Sequence, residues 1–169
     1  MQSPSRQDLG KGKQVAGIKG LEYVLVDLRS APLSSVMRTE VVSVGLDTSL
    51  GAALDICSNR HIRHLPVVDE EGKLVGLVTD RDLRASISPR VGTISENNAA
   101  RESLQRHVHV IMIRNLVTGT PSMALSLAAK LMLEKRVGCL PVIYPDKSLT
   151  GIVTTSDFLR VIAQFQNTA

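Results

Sequence analysis

The apolar positions fall into short runs whose period changes along the chain. Leu50, Ala53, Leu54 and Cys57 lie at helical spacing behind Asp47 or Thr48 as a cap, which predicts a helix over roughly 49–59. An extended segment, 41–44, precedes it. Two apolar runs follow, 65–68 and Leu74–Thr79, and Asp-Glu-Glu-Gly between them reads as a turn joining two strands. A second helix starts just after Thr79, with Asp80 near its cap. The same order then recurs. It comprises an extended segment at 116–119, a helix over roughly 122–135 with Leu125, Ala128, Leu131 and Met132 on one face, and strands 140–144 and Leu149–Thr154 around Pro145-Asp146-Lys147. A last helix has Thr155 or Ser156 near its cap. Each unit reads βαββα.

The recurrence is an internal repeat. Shifted by 75, the sequence matches itself without a gap from Met37 to Arg84. Leu65-Pro66-Val67 falls on Leu140-Pro141-Val142, and Leu74, Gly76, Val78, Thr79 and Asp82 fall on Leu149, Gly151, Val153, Thr154 and Asp157. A unit this short has too thin a core to stand alone, so two copies in one chain are expected to pack face to face with clefts between them. The copies are separated by a polar stretch, 86–103, read as an exposed linker that turns helical before Arg106. The expected division is an N-terminal extension, partly disordered, over 1–30, a first repeat over 31–86, a linker over 87–104 and a second repeat over 105–169. Within the extension, 21–29 is apolar enough to pack as a strand or a helix turn.

Composition changes this picture little. The 169 residues are 43% hydrophobic, enough for one compact core or two small fused ones. No run approaches a membrane span, and the first 20 residues lack the apolar stretch of a signal peptide, so a cytoplasmic location and no membrane partner are expected. Cys57 and Cys139 are far apart and outside any CxxC pair; they read as reduced core residues, with a bridge between them left open. The net charge of +4 is concentrated in the first 20 residues, where Arg6, Lys11, Lys13 and Lys19 face Asp8 alone. With 2% aromatic residues and no Trp, base-stacking platforms are scarce, and nucleic acid is not an expected partner.

The segments VMRTEVVSV…HIRHLPVVDEEGKLVGLVTDRDL and VIMIRNLVTG…KRVGCLPVIYPDKSLTGIVTTSDFL each resemble a CBS repeat. Two in tandem look like a Bateman module, and the resemblance covers about residues 33–165. The layout is similar to the stand-alone acetoin-utilisation type of bacteria. This implies an α/β (α+β) fold in which two βαββα repeats pack about a pseudo-twofold axis, and a regulatory module rather than an enzyme.

The sharpest chemical pattern is Thr-x-x-Asp, at Thr79/Asp82 and again at Thr154/Asp157, each where a strand runs into a helix. Unpaired first-turn N–H groups attract anions there. A threonine hydroxyl can donate to phosphate, and a carboxylate one turn on can accept from ribose hydroxyls. The plainer reading is a helix-capping box, which uses the same residues. The resemblance implies that adenine lies between the apolar residue two before each Thr and the opening segment of the other repeat. These walls are Ile152 with 38–42, Val41 among them, and Leu77 with 113–117, Leu116 among them. It also implies that Arg63 and His64 face a phosphate at Thr154/Asp157, where the second repeat has only Gly138-Cys139; Arg81 or Arg114 is the candidate cation at Thr79/Asp82.

The expected ligand is an adenosine nucleotide (AMP, ADP or ATP), with no obligatory cofactor and no catalytic residues. The alternatives are an S-adenosyl compound sensor and a ligand-free dimerising scaffold. A homodimer through the helices is expected from the apolar helix faces and the small-residue run 124–129. His107-x-His109 has no clear carboxylate or cysteine partner, and no metal is expected.

Overall fold

A computed structural model of the protein describes residues 30–164. The expectations for the basic N-terminal stretch, for 21–29 and for 165–169 lie outside the described residues. In the first repeat, β1 (Val44–Gly45) runs parallel to β2 (His64–Val68), which pairs antiparallel with β3 (Leu74–Thr79). Helices α1 (Leu50–Arg60) and α2 (Asp80–Ser86) complete it. A connecting helix α3 (Asn98–Gln105) leads to the second repeat, with α4 (Leu125–Lys135), the antiparallel pair β4 (Cys139–Ile143) and β5 (Leu149–Thr154), and α5 (Thr155–Gln164).

The 75-residue repeat reappears as a pseudo-twofold axis. Leu77 and Ile113 exchange backbone hydrogen bonds of 3.0 and 2.9 Å, and the equivalent pair, Arg38 and Ile152, does so at 3.0 Å in both directions. At the axis the Leu74 N–H donates to the Lys147 carbonyl, while the Leu149 N–H donates to that of Gly72. Side chains obey the same operation. A Cβ on Gly151 would sit 2.6 Å from the Met37 sulfur, and one on Gly76 would collide with that of Met112, so a side chain at either position would have to displace a methionine.

Each opening turn belongs to the other repeat's core. The 3-10 turn Leu33–Ser35 is docked through N–H bonds from Leu33 to Met123 O (2.8 Å) and from Ser34 to Pro121 O (3.0 Å). Leu33, fully buried, packs with Leu125, Ala128, Leu140, Val142 and Val153. Its counterpart, Val108 in the turn Val108–Val110, is fully buried among Leu50, Ala53, Leu65 and Val78. The exchange also caps helices. Leu50 N–H donates to Arg106 O at 2.7 Å, and Leu125 N–H donates to Ala31 O at 2.8 Å.

These contacts explain where the elements depart from expectation. The α1 cap is Ser49, whose hydroxyl accepts from the Ala52 N–H, rather than Asp47 or Thr48. Helix α4 begins at Leu125 instead of 122, because the Ala31 carbonyl takes its first N–H and no side chain caps it. The extended segment 41–44 yields only Val44–Gly45 as strand, since the chain bends where the Val41 N–H meets Thr39 O. At 116–119 the strand shrinks to one parallel bridge, Gly119 to Val142. Within the linker, α3 is anchored: Asn97 caps it, Ala100 is buried, and Gly51 lets Leu104 approach α1 closely.

Because Leu33 fills the opposite core, Leu33→Ala should cost about 2–5 kcal/mol, and urea unfolding should remain one transition. Two separable transitions by circular dichroism, or a folded fragment ending at residue 105 and so lacking Val108, would overturn this dependence.

Candidate functional site

The seam between the repeats is apolar at its centre. Leu77, Cys139 and Ile152 are buried there together, with Val41 and Leu116 packed against them. Leu77 matches Ile152 and Val41 matches Leu116 under the 75-residue shift; the fifth position is Cys139 in one repeat and His64 in the other. Burial pushes the Cys139 thiol up to about 12, and both cysteines are buried free thiols.

On one side of this seam lies a cleft of about 510 Å³. Val41 and Ile152 form its apolar wall, and Arg38, Arg63, His64, Thr154, Thr155, Ser156 and Arg160 supply polar groups, with Glu40 the one carboxylate in its lining among the described residues. Thus Val41, Ile152, Thr154, Arg63 and His64 are brought together. Burial, then the neighbouring Arg63, hold His64 below the ordinary imidazole value, so it is neutral near pH 7. Gly138 lies against it, within van der Waals reach of the imidazole. The N-terminus of α5 opens onto the cleft through Thr155 and Ser156.

Asp157 is 4% exposed, and both of its oxygens are engaged. Oδ2 accepts from the Thr154 hydroxyl (2.6 Å) and N–H (2.8 Å). Oδ1 accepts from Arg160 at 2.7 Å and from Arg38 at 3.2 Å. The carboxylate and hydroxyl expected to meet ribose and phosphate are thus bonded within the protein, and a ligand there would have to exchange with these partners. A buried anion needs partners, and here two guanidinium groups and Thr154 provide them. Burial opposes ionisation of Asp157, but the Thr154 bonds and Arg38 outweigh it, so the carboxyl sits below its ordinary value. Sequence reasoning missed both arginines as partners. The i,i+3 spacing of Asp157 and Arg160 was a legible signal, whereas Arg38 lies in the other repeat and carried none.

The pseudo-equivalent end is built differently. Thr79 and Asp82 form a complete capping box on α2, with Thr79 Oγ1 donating to Asp82 at 2.6 Å, so the plainer reading is realised there. Among the described residues Asp82 meets no cation within an ion-pair distance. Asp80 stands where Thr155 stands in the other repeat and pairs with Arg84 at 3.0 Å. Leu77 is in the central cluster, bonded to Ile113. Arg114 does not serve Asp82: its guanidinium donates to the His109 carbonyl at 2.7 Å. Arg81 is exposed on α2.

A carboxyl held below its unfolded value stabilises the fold at pH above about 3.9, and that contribution is lost as pH falls through the lower folded value. Asp157→Asn should therefore flatten the loss of stability between about pH 5 and pH 2. At neutral pH it should cost about 1–3 kcal/mol from lost charged hydrogen bonds. Urea midpoints of both proteins across that range check this, and parallel profiles would contradict it.

Comparison with known proteins agrees with this architecture. The family model for the CBS domain matches residues 33–89 and 107–164. A CBS domain-containing protein of Dictyostelium discoideum is 41% identical over 133 residues, covering 77% of this chain and 90% of that protein. Other curated relatives are far longer: the chain spans 27% of a homoserine O-acetyltransferase of Methanohalobium evestigatum, 32% identical over 146 residues. Among solved structures, CBSX2 in complex with AMP is 28% identical with a TM-score of 0.67, covering 80% of this chain and 98% of that one. A putative acetoin utilization protein from Vibrio cholerae is 25% identical with a TM-score of 0.68, covering 80% and 92%. Two matched repeats, joined by reciprocal backbone pairing about one axis, place the chain in the CBS-domain family as a tandem pair, a Bateman module.

Proposed function

We propose that this CBS pair binds an adenosine nucleotide in the Thr154 cleft and reads it as a regulatory signal instead of turning it over. The observation that carries the reading is the convergence of Arg38, Arg63 and Arg160 beside an apolar wall and a helix N-terminus, three guanidinium groups against Glu40 and the Asp157 carboxylate that Arg38 and Arg160 share. Adenine fits between Ile152 and Val41, ribose beside Asp157, and phosphate among Arg63, His64 and the first turn of α5. The AMP-bound CBSX2 structure supports the ligand class. No catalytic step is assigned to these residues.

The Arg38–Asp157 pair shapes selectivity in this scheme. A ribose that takes Asp157 Oδ1 must displace Arg38, and a phosphate gives the released guanidinium a new partner. Adenosine breaks the pair without that compensation. Exchange of partners also supplies the differential affinity that a two-state signal requires, because Arg38 ties the opening segment of repeat 1 to α5. At the Thr79 end, Asp80 and Asp82 disfavour phosphate. Their charge suits the cationic sulfonium of an S-adenosyl compound, the second reading.

Calorimetry with AMP, ADP, ATP, adenosine and S-adenosylmethionine tests this. Arg63→Ala should weaken AMP by roughly 10- to 150-fold, the worth of one charged hydrogen bond, while leaving adenosine nearly unchanged. Arg38→Ala should narrow the difference between AMP and adenosine, Asp157→Ala should abolish the tighter site, and Asp82→Ala should spare it. No binding of any of these ligands would favour the scaffold reading. Equal loss for AMP and adenosine in Arg63→Ala would make Arg63 a fold-supporting residue.

The same reading includes a homodimer through α4 and α5, which leave Leu127, Leu159 and Ile162 more than half exposed. Light scattering should give the mass of two chains, and Leu127→Arg with Ile162→Arg should return it to one. A single-chain mass across the micromolar range, with and without nucleotide, would exclude the dimer.

A further inference from the structure

The carboxylate that the His107-x-His109 pair lacks in sequence is supplied by the fold. Asp47 lies just before α1, and the exchanged turn that buries Val108 brings the two histidines to it. Asp47 Oδ1 stands 3.7 Å from His107 Nδ1 and 3.6 Å from His109 Nδ1. One ligand atom from each residue lies within 4.8 Å of the other two. Ligands held at about 2.0–2.2 Å around a tetrahedral zinc are roughly 3.4 Å apart, so a small inward movement of exposed side chains closes the set. We propose that Asp47, His107 and His109 form a binding site for a divalent first-row transition cation, with Zn²⁺ the representative.

The donor chemistry selects the class. Two imidazole nitrogens and one carboxylate oxygen suit Zn²⁺, Ni²⁺ or Cu²⁺, whereas Mg²⁺ and Ca²⁺ demand oxygen ligands. Three protein ligands leave a coordination position for water. His109 Nδ1 lies 3.1 Å from the Leu46 carbonyl; on metal binding that contact gives way to coordination, and the proton of the neutral ring resides on Nε2. Arg114 donates to the His109 carbonyl at 2.7 Å, which leaves the His109 ring nitrogens to the cluster.

Pseudosymmetry argues that the cluster is not a demand of the fold. Under the 75-residue shift, His107, His109 and Asp47 correspond to Pro32, Ser34 and Ser122. That equivalent turn docks in the same way without a single ligating side chain. The chain would thus hold one such ion, not two, and it would staple the start of α1 to the exchanged turn, remote in sequence. A ligand that binds only the folded state raises stability by mass action.

Titration of the full chain, free of any histidine tag and stripped with chelator, should show one equivalent of Zn²⁺ by calorimetry and a saturable rise in thermal midpoint, with neither from Mg²⁺ or Ca²⁺. Asp47→Ala, His107→Ala and His109→Ala each should weaken Zn²⁺ by about 10-fold or more and remove the thermal rise. Asp47 is exposed, both histidines are about half exposed and none of the three belongs to a core cluster, so the metal-free variants should keep the parent circular dichroism spectrum. His64→Ala, in the cleft, should leave binding unchanged. No stoichiometric binding, undiminished binding in His109→Ala, or loss in His64→Ala instead, would each overturn the proposal.

Discussion

The reciprocal burial of Leu33 and Val108 is the constraint on which the rest of the structure depends. Each repeat lends its opening turn to the other's core, and each receives a helix-starting carbonyl in return: Ala31 O for α4, Arg106 O for α1. Neither core closes on residues of one repeat alone. The two halves are therefore held by hydrophobic burial on both sides, which is non-directional and large, and by backbone pairing at the seam, which is directional and fixes register. Met37 against Gly151 and Met112 against Gly76 show how tightly that register is held.

The cleft is a product of the same seam. Arg38 reaches Asp157 only because its backbone is bonded to Ile152, and Arg63 and His64 face α5 only because the repeats pack about one axis. Symmetry supplies two ends, and a few substitutions make them unlike. Thr155 against Asp80, and Arg63-His64 against Gly138-Cys139, shift the balance of charge toward anions at one end and away from them at the other. α5 spans ten residues where α2 spans seven, so the end that carries Arg63 and His64 also has the longer helix behind it.

Much of this was legible along the chain. The 75-residue shift, the period changes and the Thr-x-x-Asp pattern located both repeats, and four strands are found within a residue of their expected limits at either end. What was not legible is whatever depends on the other repeat. The start of α4 is set by Ala31, the strand at 116–119 is reduced to Gly119, and the carboxylate of Asp157 is held by Arg38; none of these leaves a local trace in sequence. The same holds for Asp47 beside His107 and His109, since spacing along one segment cannot show a neighbour from another. Arg160 is the exception, since its spacing from Asp157 is local.

The β2–β3 and β4–β5 turns look like ordinary hairpin tips, the kind of surface loop where insertions are absorbed at small entropic cost. Here they meet: Leu74 bonds to Lys147, Leu149 bonds to Gly72, and Gly72 and Lys147 both adopt positive φ. Lengthening either tip by one residue would move one strand's edge relative to the axis while leaving the other in place. A change in the length of one hairpin therefore bears directly on the seating of the other, and the 75-residue correspondence runs through both tips without a gap.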